Sequence, residues 1–253
     1  VTSEEVLASA GLQYYWQMEL PLGEGVEVRR IQLIDENLYC LTSDDRMIAI
    51  DAARGVPLWS CEAARPGETV FRPSHADGVA LMPEPPGVGV IGGWEEAGEP
   101  TVIDAVFLNT DNHVRVFDRT TGELYRDIPF DFSANTGGVS DGEYFFVGAT
   151  NGRYYAIAID EALEAWSLST DSLLSASPQT LRGRVFVGSE DRRFYCANIG
   201  ERGAEAWVRR LDGAVTSSFH VDDRGCFVPC MDRHLYAFDP VSGASLWDPF
   251  TTR

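Results

Sequence analysis

The side chains most able to carry chemistry, cysteine and histidine, are few and scattered along the sequence. The cysteines are Cys40, Cys61, Cys196, Cys226 and Cys230, and the histidines are His75, His113, His220 and His234. A structural zinc site uses closely spaced pairs of these residues, and the Cys226-x-x-x-Cys230 pair has no second pair beside it. We therefore predict no metal site and no catalytic residues.

The cysteines themselves have two interpretations. Four of the five lie on expected strands, where a free thiol packs as a small hydrophobic group. An odd number leaves at least one thiol outside any disulfide within the chain. We expect structural thiols, with one disulfide as the alternative.

A glycine-rich stretch, Gly87-Val-Gly89-Val-Ile-Gly92, has the letters of a dinucleotide-binding fingerprint. That fingerprint works only between a strand and a helix, because the helix N-terminus holds the pyrophosphate. Here Pro-Glu-Pro-Pro precedes the glycines and an acidic Gly/Pro stretch follows them, so no helix can start cleanly. No cofactor is predicted.

Carboxylates recur in short polar turns between expected strands, at Asp44, Asp45, Asp111, Asp191 and Asp232. Aspartate stabilises such turns by accepting hydrogen bonds from backbone N–H groups a few residues later. We expect capped turns, with calcium binding as the alternative.

The charge balance restricts the partners. The chain carries 39 acidic and 20 basic residues, all of the latter arginine, for a formal charge of −19. Such a surface repels phosphate backbones, which excludes nucleic acid as a favoured partner. No apolar run reaches the roughly 20 residues of a membrane span.

The element that dominates the sequence is a repeat of about 40 residues ending in tryptophan. Trp166, Trp207 and Trp247 follow one another at intervals of 41 and 40 residues, and Trp16 and Trp59 are 43 apart. Each copy has an apolar strand, an Asp/Asn/Gly turn, a second apolar strand, a glycine turn and a tryptophan strand. With one more strand upstream, each unit has four antiparallel strands, as in a propeller blade.

The repeated residues have packing roles in this interpretation. We expect a small residue on the third strand to let the next sheet approach closely, and the tryptophan to fill the wedge between sheets. The structural residues are Ala49, Ala156, Cys196 and Ala237 with Trp16, Trp59, Trp166, Trp207 and Trp247. The second copy is degenerate, since Tyr125 and Arg126 replace its tryptophan.

The predicted fold class is an all-β propeller of four-stranded antiparallel blades, with five complete repeats. The proposed ranges are 1–11 for a short N-terminal helix or extension and 12–253 for the propeller, with repeats at about 24–62, 67–130, 136–170, 176–211 and 214–250. Residues 12–20 look like a lone outermost strand. Either the ring is part of a larger propeller, or it has five blades and this strand is an addition.

The last copy combines a hairpin, a Tyr-Ala-x-Asp segment, a glycine turn and a tryptophan. This pattern resembles the repeat of the pyrroloquinoline-quinone-like propeller family, over about residues 12–250. That family includes quinoprotein alcohol dehydrogenases and a bacterial lipoprotein that helps assemble outer-membrane proteins. The dehydrogenases are longer and carry adjacent cysteines beneath the cofactor, which this sequence lacks. The resemblance therefore implies the lipoprotein-like branch and an extracytoplasmic location in the periplasm or cell envelope.

An insertion at 83–100 interrupts the repeat pattern. Trp94 lies outside that pattern, flanked by Glu95 and Glu96, and loops inserted into repeat proteins often lie on the binding face. We expect these three residues to contact a partner, with folding back onto the blade as the alternative.

Together these observations favour a non-catalytic scaffold that binds another protein. The alternatives are a ligand-sensing or structural envelope module of a larger protein and, with less support, a quinone-dependent dehydrogenase.

Overall fold

The computed structural model describes residues 4–83 and 99–251, which contain five four-stranded antiparallel sheets in succession. The chain divides into two compact units, Val1–Pro66 and Gly67–Arg253, and each is described by itself. The helices of the described residues are short, and none has the length and apolar character needed to cross a membrane.

The first unit holds one helix, an extended segment and the first sheet. The helix α1 is Glu4–Ser9, and residues 12–23 follow without regular structure. The first sheet has the order β1-β2-β3-β4, with strands β1 Val28–Ile34, β2 Asn37–Thr42, β3 Arg46–Asp51 and β4 Val56–Glu62.

The second unit holds four sheets with the same order of consecutive strands. The second sheet has β5 Ser74–Leu81, β6 Thr101–Asn109, β7 His113–Asp118 and β8 Leu124–Pro129. The third has β9 Val139–Ser140, β10 Tyr144–Gly148, β11 Arg153–Ala158 and β12 Leu163–Ser169. The fourth has β13 Gln179–Leu181, β14 Arg184–Gly188, β15 Arg193–Asn198 and β16 Ala204–Arg210, with a 3₁₀ turn at Ile199–Glu201. The fifth has β17 His220–Asp222, β18 Gly225–Pro229, β19 His234–Phe238 and β20 Phe250–Thr251.

In the third, fourth and fifth sheets, the turn between the second and third strands is built by an aspartate or asparagine. In the fourth sheet Asp191 Oδ1 accepts the backbone N–H of Arg193 at 2.9 Å, and in the fifth Asp232 Oδ1 accepts that of His234 at 2.9 Å. The residue between them has a left-handed backbone, with φ of 67° at Arg192. The side-chain acceptor stabilises a conformation that an arginine rarely adopts.

Within the second unit the sheets pack face to face in chain order. One face of the third sheet, with Phe146, Tyr154 and Trp166, joins Val185 and Val187 of the fourth in a buried cluster. The opposite face of the fourth sheet packs on the fifth in the same way. Apolar side chains on both faces of a strand explain runs such as Phe145-Phe146-Val147, which do not alternate with polar residues.

The predicted fold class is confirmed: the chain is an all-β protein with five four-stranded antiparallel propeller blades. One expected element differs. Residues 12–20 are extended, but they form no ladder with a strand of the described residues. Trp16, Met18 and Leu20 instead pack side-on against Cys40, Ile48 and Ile50 of the first sheet.

Candidate protein-interaction surface

Three of the repeat tryptophans lie directly opposite a small residue on the neighbouring strand. Trp59 pairs with Ala49, Trp166 with Ala156 and Trp207 with Cys196, and all six residues are buried. A β-bulge follows the small residue in each of these ladders. The small side chain leaves room beside the indole, and the bulge increases the local twist of the strand.

Trp247 differs from these three. It follows β19 in an irregular stretch and is 44% exposed, whereas Trp166 is 8% and Trp207 6% exposed. Pro249 explains the break in the strand, because proline has no N–H to donate to the ladder. Strand β20 resumes only at Phe250, which pairs with Leu235.

The fifth sheet presents one buried face and one exposed face. Its inner side chains, among them Cys226, Val228 and Phe238, belong to the cluster shared with the fourth sheet. The opposite side carries what we call the open face, defined by Phe227, Leu235, Leu246, Trp247 and Phe250. These five residues are half-buried or exposed.

Contacts within the open face hold its aromatic side chains together. The rings of Phe227 and Trp247 have centroids 5.6 Å apart. Leu246 lies over Gly225, because a methyl group on that glycine would come within 2.8 Å of the leucine Cδ1. Phe250 projects furthest, with 63% of its surface exposed. Large apolar side chains are therefore exposed on one side of one sheet, and monomeric proteins seldom leave extended apolar patches uncovered.

The repeat pattern identifies Trp247 and Ala237 as packing residues and does not identify Leu246 and Phe250. The useful signal is Asp248-Pro249 after the tryptophan, where the other copies continue with strand-forming residues. That dipeptide marks an interrupted outer strand.

The predicted partner contacts Trp94, Glu95 and Glu96 lie outside the described residues, as does the glycine-rich stretch 87–92. They stay predictions.

The cysteines have the properties of structural thiols. All five are free. Burial raises the pKa of Cys196 to about 11 and that of Cys226 to about 12, so both remain protonated and poorly nucleophilic near neutral pH.

The turn carboxylates and the histidines are held by neighbouring groups. Asp191 and Asp232 accept backbone N–H groups and also the hydroxyl groups of Tyr195 and Tyr236, each at 2.5 Å. The side chain of His113 is buried, with its Nδ1 2.6 Å from Asn112 Oδ1. Among residues 4–83 and 99–251, no three His, Cys, Asp or Glu side chains come together in an arrangement that could hold a metal ion.

Comparison with known proteins identifies the family of the chain and a solved structure of similar fold. The model of the family described as outer membrane protein assembly factor BamB matches residues 110–248, more than half of the chain. No curated protein sequence matches the chain. Among solved structures, the crystal structure of BamB from Moraxella catarrhalis is similar, with a TM-score of 0.63 and 14% identity. The match covers 88% of this chain and 65% of that protein's chain.

Proposed function

Because the chain belongs to the family of the outer membrane protein assembly factor BamB, we propose that it is a non-catalytic scaffold that binds another protein in the cell envelope. The family name supports a role in assembly. The extracytoplasmic location is part of the proposal and depends on the family alone.

The observation that carries the proposal is the open face of the fifth sheet. Large apolar side chains are rarely left exposed side by side, and aromatic residues are enriched where proteins bind one another. Trp247 and Phe250 are of the types that anchor such interfaces. Truncation of one central aromatic anchor typically weakens an interface by about 2 kcal/mol or more.

The chemistry of the described residues supports a scaffold over a quinone-dependent dehydrogenase. The buried thiols carry raised pKa values, and Asp191 and Asp232 are engaged in hydrogen bonds that build turns. These groups stabilise the sheets, and no nucleophile is activated by a neighbouring base among them.

A ligand-sensing module remains the second candidate because the first unit contains a cavity of about 510 Å³. The walls are mostly apolar, and Asp44 and Arg46 add one charge of each sign. This size is within the range of small-molecule sites. A small molecule that copurifies with the chain in native mass spectrometry would favour this candidate.

Site-directed photocross-linking tests the scaffold. We expect a benzoyl-phenylalanine in place of Phe250 in the full chain to give a discrete protein adduct in a cell-envelope extract. The matched control is Leu163 on the third sheet, which is similarly exposed at 66% and lies on an outer strand, and it should give no such adduct. Equal adducts at both positions, or none at either, would contradict the proposal.

A further inference from the structure

A hydrogen bond between a turn residue and a tyrosine recurs in three sheets of the second unit. The polar residue of the turn between the second and third strands contacts the hydroxyl group of a tyrosine four residues later. The pairs are Asn151 with Tyr155, Asp191 with Tyr195, and Asp232 with Tyr236. In the same turns the side-chain oxygen accepts the backbone N–H two residues later. The polar side chain is thus engaged by its own sheet.

The first sheet departs from this arrangement at both points. Ile48 stands four residues after Asp44, where the other three sheets have tyrosine. The backbone N–H of Arg46 is accepted by Thr42 Oγ1 at 3.2 Å and not by Asp44. Among the described residues, the Asp44 carboxylate therefore accepts one hydrogen bond, from the hydroxyl group of Thr42. A carboxylate has several acceptor positions, so most of those of Asp44 remain available.

Asp44 and Ile48 both line the cavity of about 510 Å³ in the first unit. A tyrosine ring that reached from the position of Ile48 to Asp44, as in the other three sheets, would lie across a wall of this cavity. The apolar lining comes largely from Leu22 and Val26 ahead of the sheet and from Leu58 on β4. The isoleucine therefore frees both the carboxylate and the space beside it.

The same turn brings a cation to the cavity. Arg46 lines it, and the guanidinium group donates to Ser60 Oγ at 3.0 Å. Among residues 4–83 and 99–251, Arg46 forms no ion pair with Asp44 or with any other carboxylate. Because an arginine has several N–H donors, the guanidinium keeps donors for an anion.

The turn holds these two charged residues in place. Asp45 lies between them with a left-handed φ of 58°, and its N–H donates to the carbonyl oxygen of Thr42 at 3.2 Å. The buried hydroxyl group of Thr42 contacts both the Asp44 carboxylate and the Arg46 N–H. A site whose groups are positioned before binding loses less conformational entropy when a ligand enters.

We propose that this cavity binds a short peptide with free termini and apolar side chains. The peptide carboxylate accepts hydrogen bonds from Arg46, and the peptide ammonium group donates to Asp44. The peptide side chains contact Leu22, Val26 and Leu58. One charge of each sign beside apolar walls complements a zwitterion, because a ligand with a single charge would leave the other charged group of the cavity without a partner.

The volume of the cavity indicates the length of the peptide. The cavity has room for about 17 water molecules, at roughly 30 Å³ each. A single amino acid would leave much of this space to water, whereas a peptide of two or three residues fills it. The proposal gives the second candidate function a ligand class. It does not depend on the scaffold, because the open face belongs to the fifth sheet.

Isothermal titration calorimetry of the full chain with leucyl-leucine tests the proposal. We expect saturable binding of one peptide per chain. N-acetyl-leucyl-leucine lacks the ammonium group, leucyl-leucinamide lacks the carboxylate, and glycyl-glycine lacks the apolar side chains. Each should bind at least about tenfold more weakly, because each loses a charged hydrogen bond or the apolar contacts.

Paired changes in the protein and the peptide assign each charge. In Arg46→Gln, leucyl-leucine and leucyl-leucinamide should bind equally, because the guanidinium that distinguishes them is absent. In Asp44→Asn, leucyl-leucine and N-acetyl-leucyl-leucine should bind equally for the corresponding reason. The matched control is Arg54→Gln, because the Arg54 side chain is 77% exposed and does not line the cavity. That variant should bind all four peptides as the unaltered chain does.

Ile48→Tyr tests the origin of the cavity. The substitution introduces the residue type of the other three sheets, with a ring that occupies the cavity and a hydroxyl group that donates to Asp44. It should weaken leucyl-leucine binding by at least about tenfold. If circular dichroism shows this variant to be unfolded, the paired comparisons with Arg46→Gln and Asp44→Asn decide the outcome.

Several results would overturn the proposal. One is the absence of leucyl-leucine binding by the folded chain, and another is equal binding of the blocked peptides. A preference for the free carboxylate that persists in Arg46→Gln would show that the guanidinium does not recognise it. A lipid or another non-peptide molecule found in the cavity would reject the peptide class. None of these results changes the cross-link expected at Phe250, so the scaffold stands or fails separately.

Discussion

At the scale of single residues, the tyrosines packed between sheets of the second unit differ in whether their hydroxyl group has a hydrogen-bond partner. Tyr195 donates to Asp191 and Tyr236 donates to Asp232. Tyr154 is fully buried between the third and fourth sheets, and its hydroxyl has no hydrogen-bond partner among the described residues. Burial raises the pKa of Tyr154 well above its usual value, so the group stays neutral. A buried, unsatisfied hydroxyl costs free energy that the ring's packing has to offset.

Tyr154→Phe should therefore be neutral or stabilising, by up to about 1 kcal/mol of unfolding free energy, because it removes the unsatisfied group and keeps the ring. Tyr195→Phe is the matched control and should destabilise by about 1.5 kcal/mol, because it removes a hydrogen bond to a carboxylate. Urea denaturation followed by circular dichroism measures both. A loss of stability in Tyr154→Phe comparable to the control would show that this hydroxyl has a partner.

At the scale of the elements, the tryptophan of one sheet packs on the glycine turn of the next, since Trp166 lies on Gly203 and Trp207 on Gly243. The contact explains why glycine recurs at Gly203 and Gly243, since a side chain would meet both a strained backbone and the ring beneath it. Arg209 adds to the second of these contacts by donating to the carbonyl oxygens of Ser242 and Gly243. Pro249 occupies the corresponding place after Trp247. The open face therefore has a tryptophan but no arginine at this position to donate such hydrogen bonds.

Gly203→Ala should lower the free energy of unfolding by about 2–4 kcal/mol, from backbone strain together with displacement of Trp166. Gly183→Ala in the same sheet is the matched control, because Gly183 has a φ of 71° and nothing within 4 Å of an added methyl group. It should cost only about 1–2 kcal/mol. Equal losses in the two variants, measured by chemical denaturation, would show that the contact between Trp166 and Gly203 adds nothing to stability.

The elements also show how far the sequence can be interpreted. The tryptophan period predicts the five sheets because a packing residue has to recur when the same sheet is stacked repeatedly. The indole of Trp16 lies against Gly55, and no local sequence pattern reveals this contact because the two residues are distant in sequence. The open face was likewise missed, because the exposure of Trp247 depends on what lies next to it in space.

At the scale of the whole molecule, the charge of −19 and the family both bear on the partner. A strongly acidic surface keeps copies apart and slows the approach of acidic partners. It leaves apolar contacts such as those of the open face to supply the affinity of the complex. The insertion at 83–100 is the second proposed contact, through Trp94, Glu95 and Glu96.

Deletion of residues 84–98 should leave the midpoint of thermal unfolding within about 2 °C, because the repeats of the propeller are complete without the insertion. If Trp94, Glu95 and Glu96 contact the partner, the same deletion should weaken binding by about tenfold. Differential scanning calorimetry and titration with the cross-linked partner measure the two effects. A large fall in the midpoint would show that the insertion belongs to the core.

The contact between the tryptophan of one repeat and the glycine of the next has a consequence for how such a gene can change. Each joint is made by the end of one repeat and the turn of the next, so the junction is the same wherever a repeat is added or lost. When one whole repeat is duplicated or lost, each tryptophan still meets the glycine of a following repeat. A break within a repeat leaves a tryptophan or a glycine without its partner. Length variation among descendants of this gene should therefore occur in steps of one repeat.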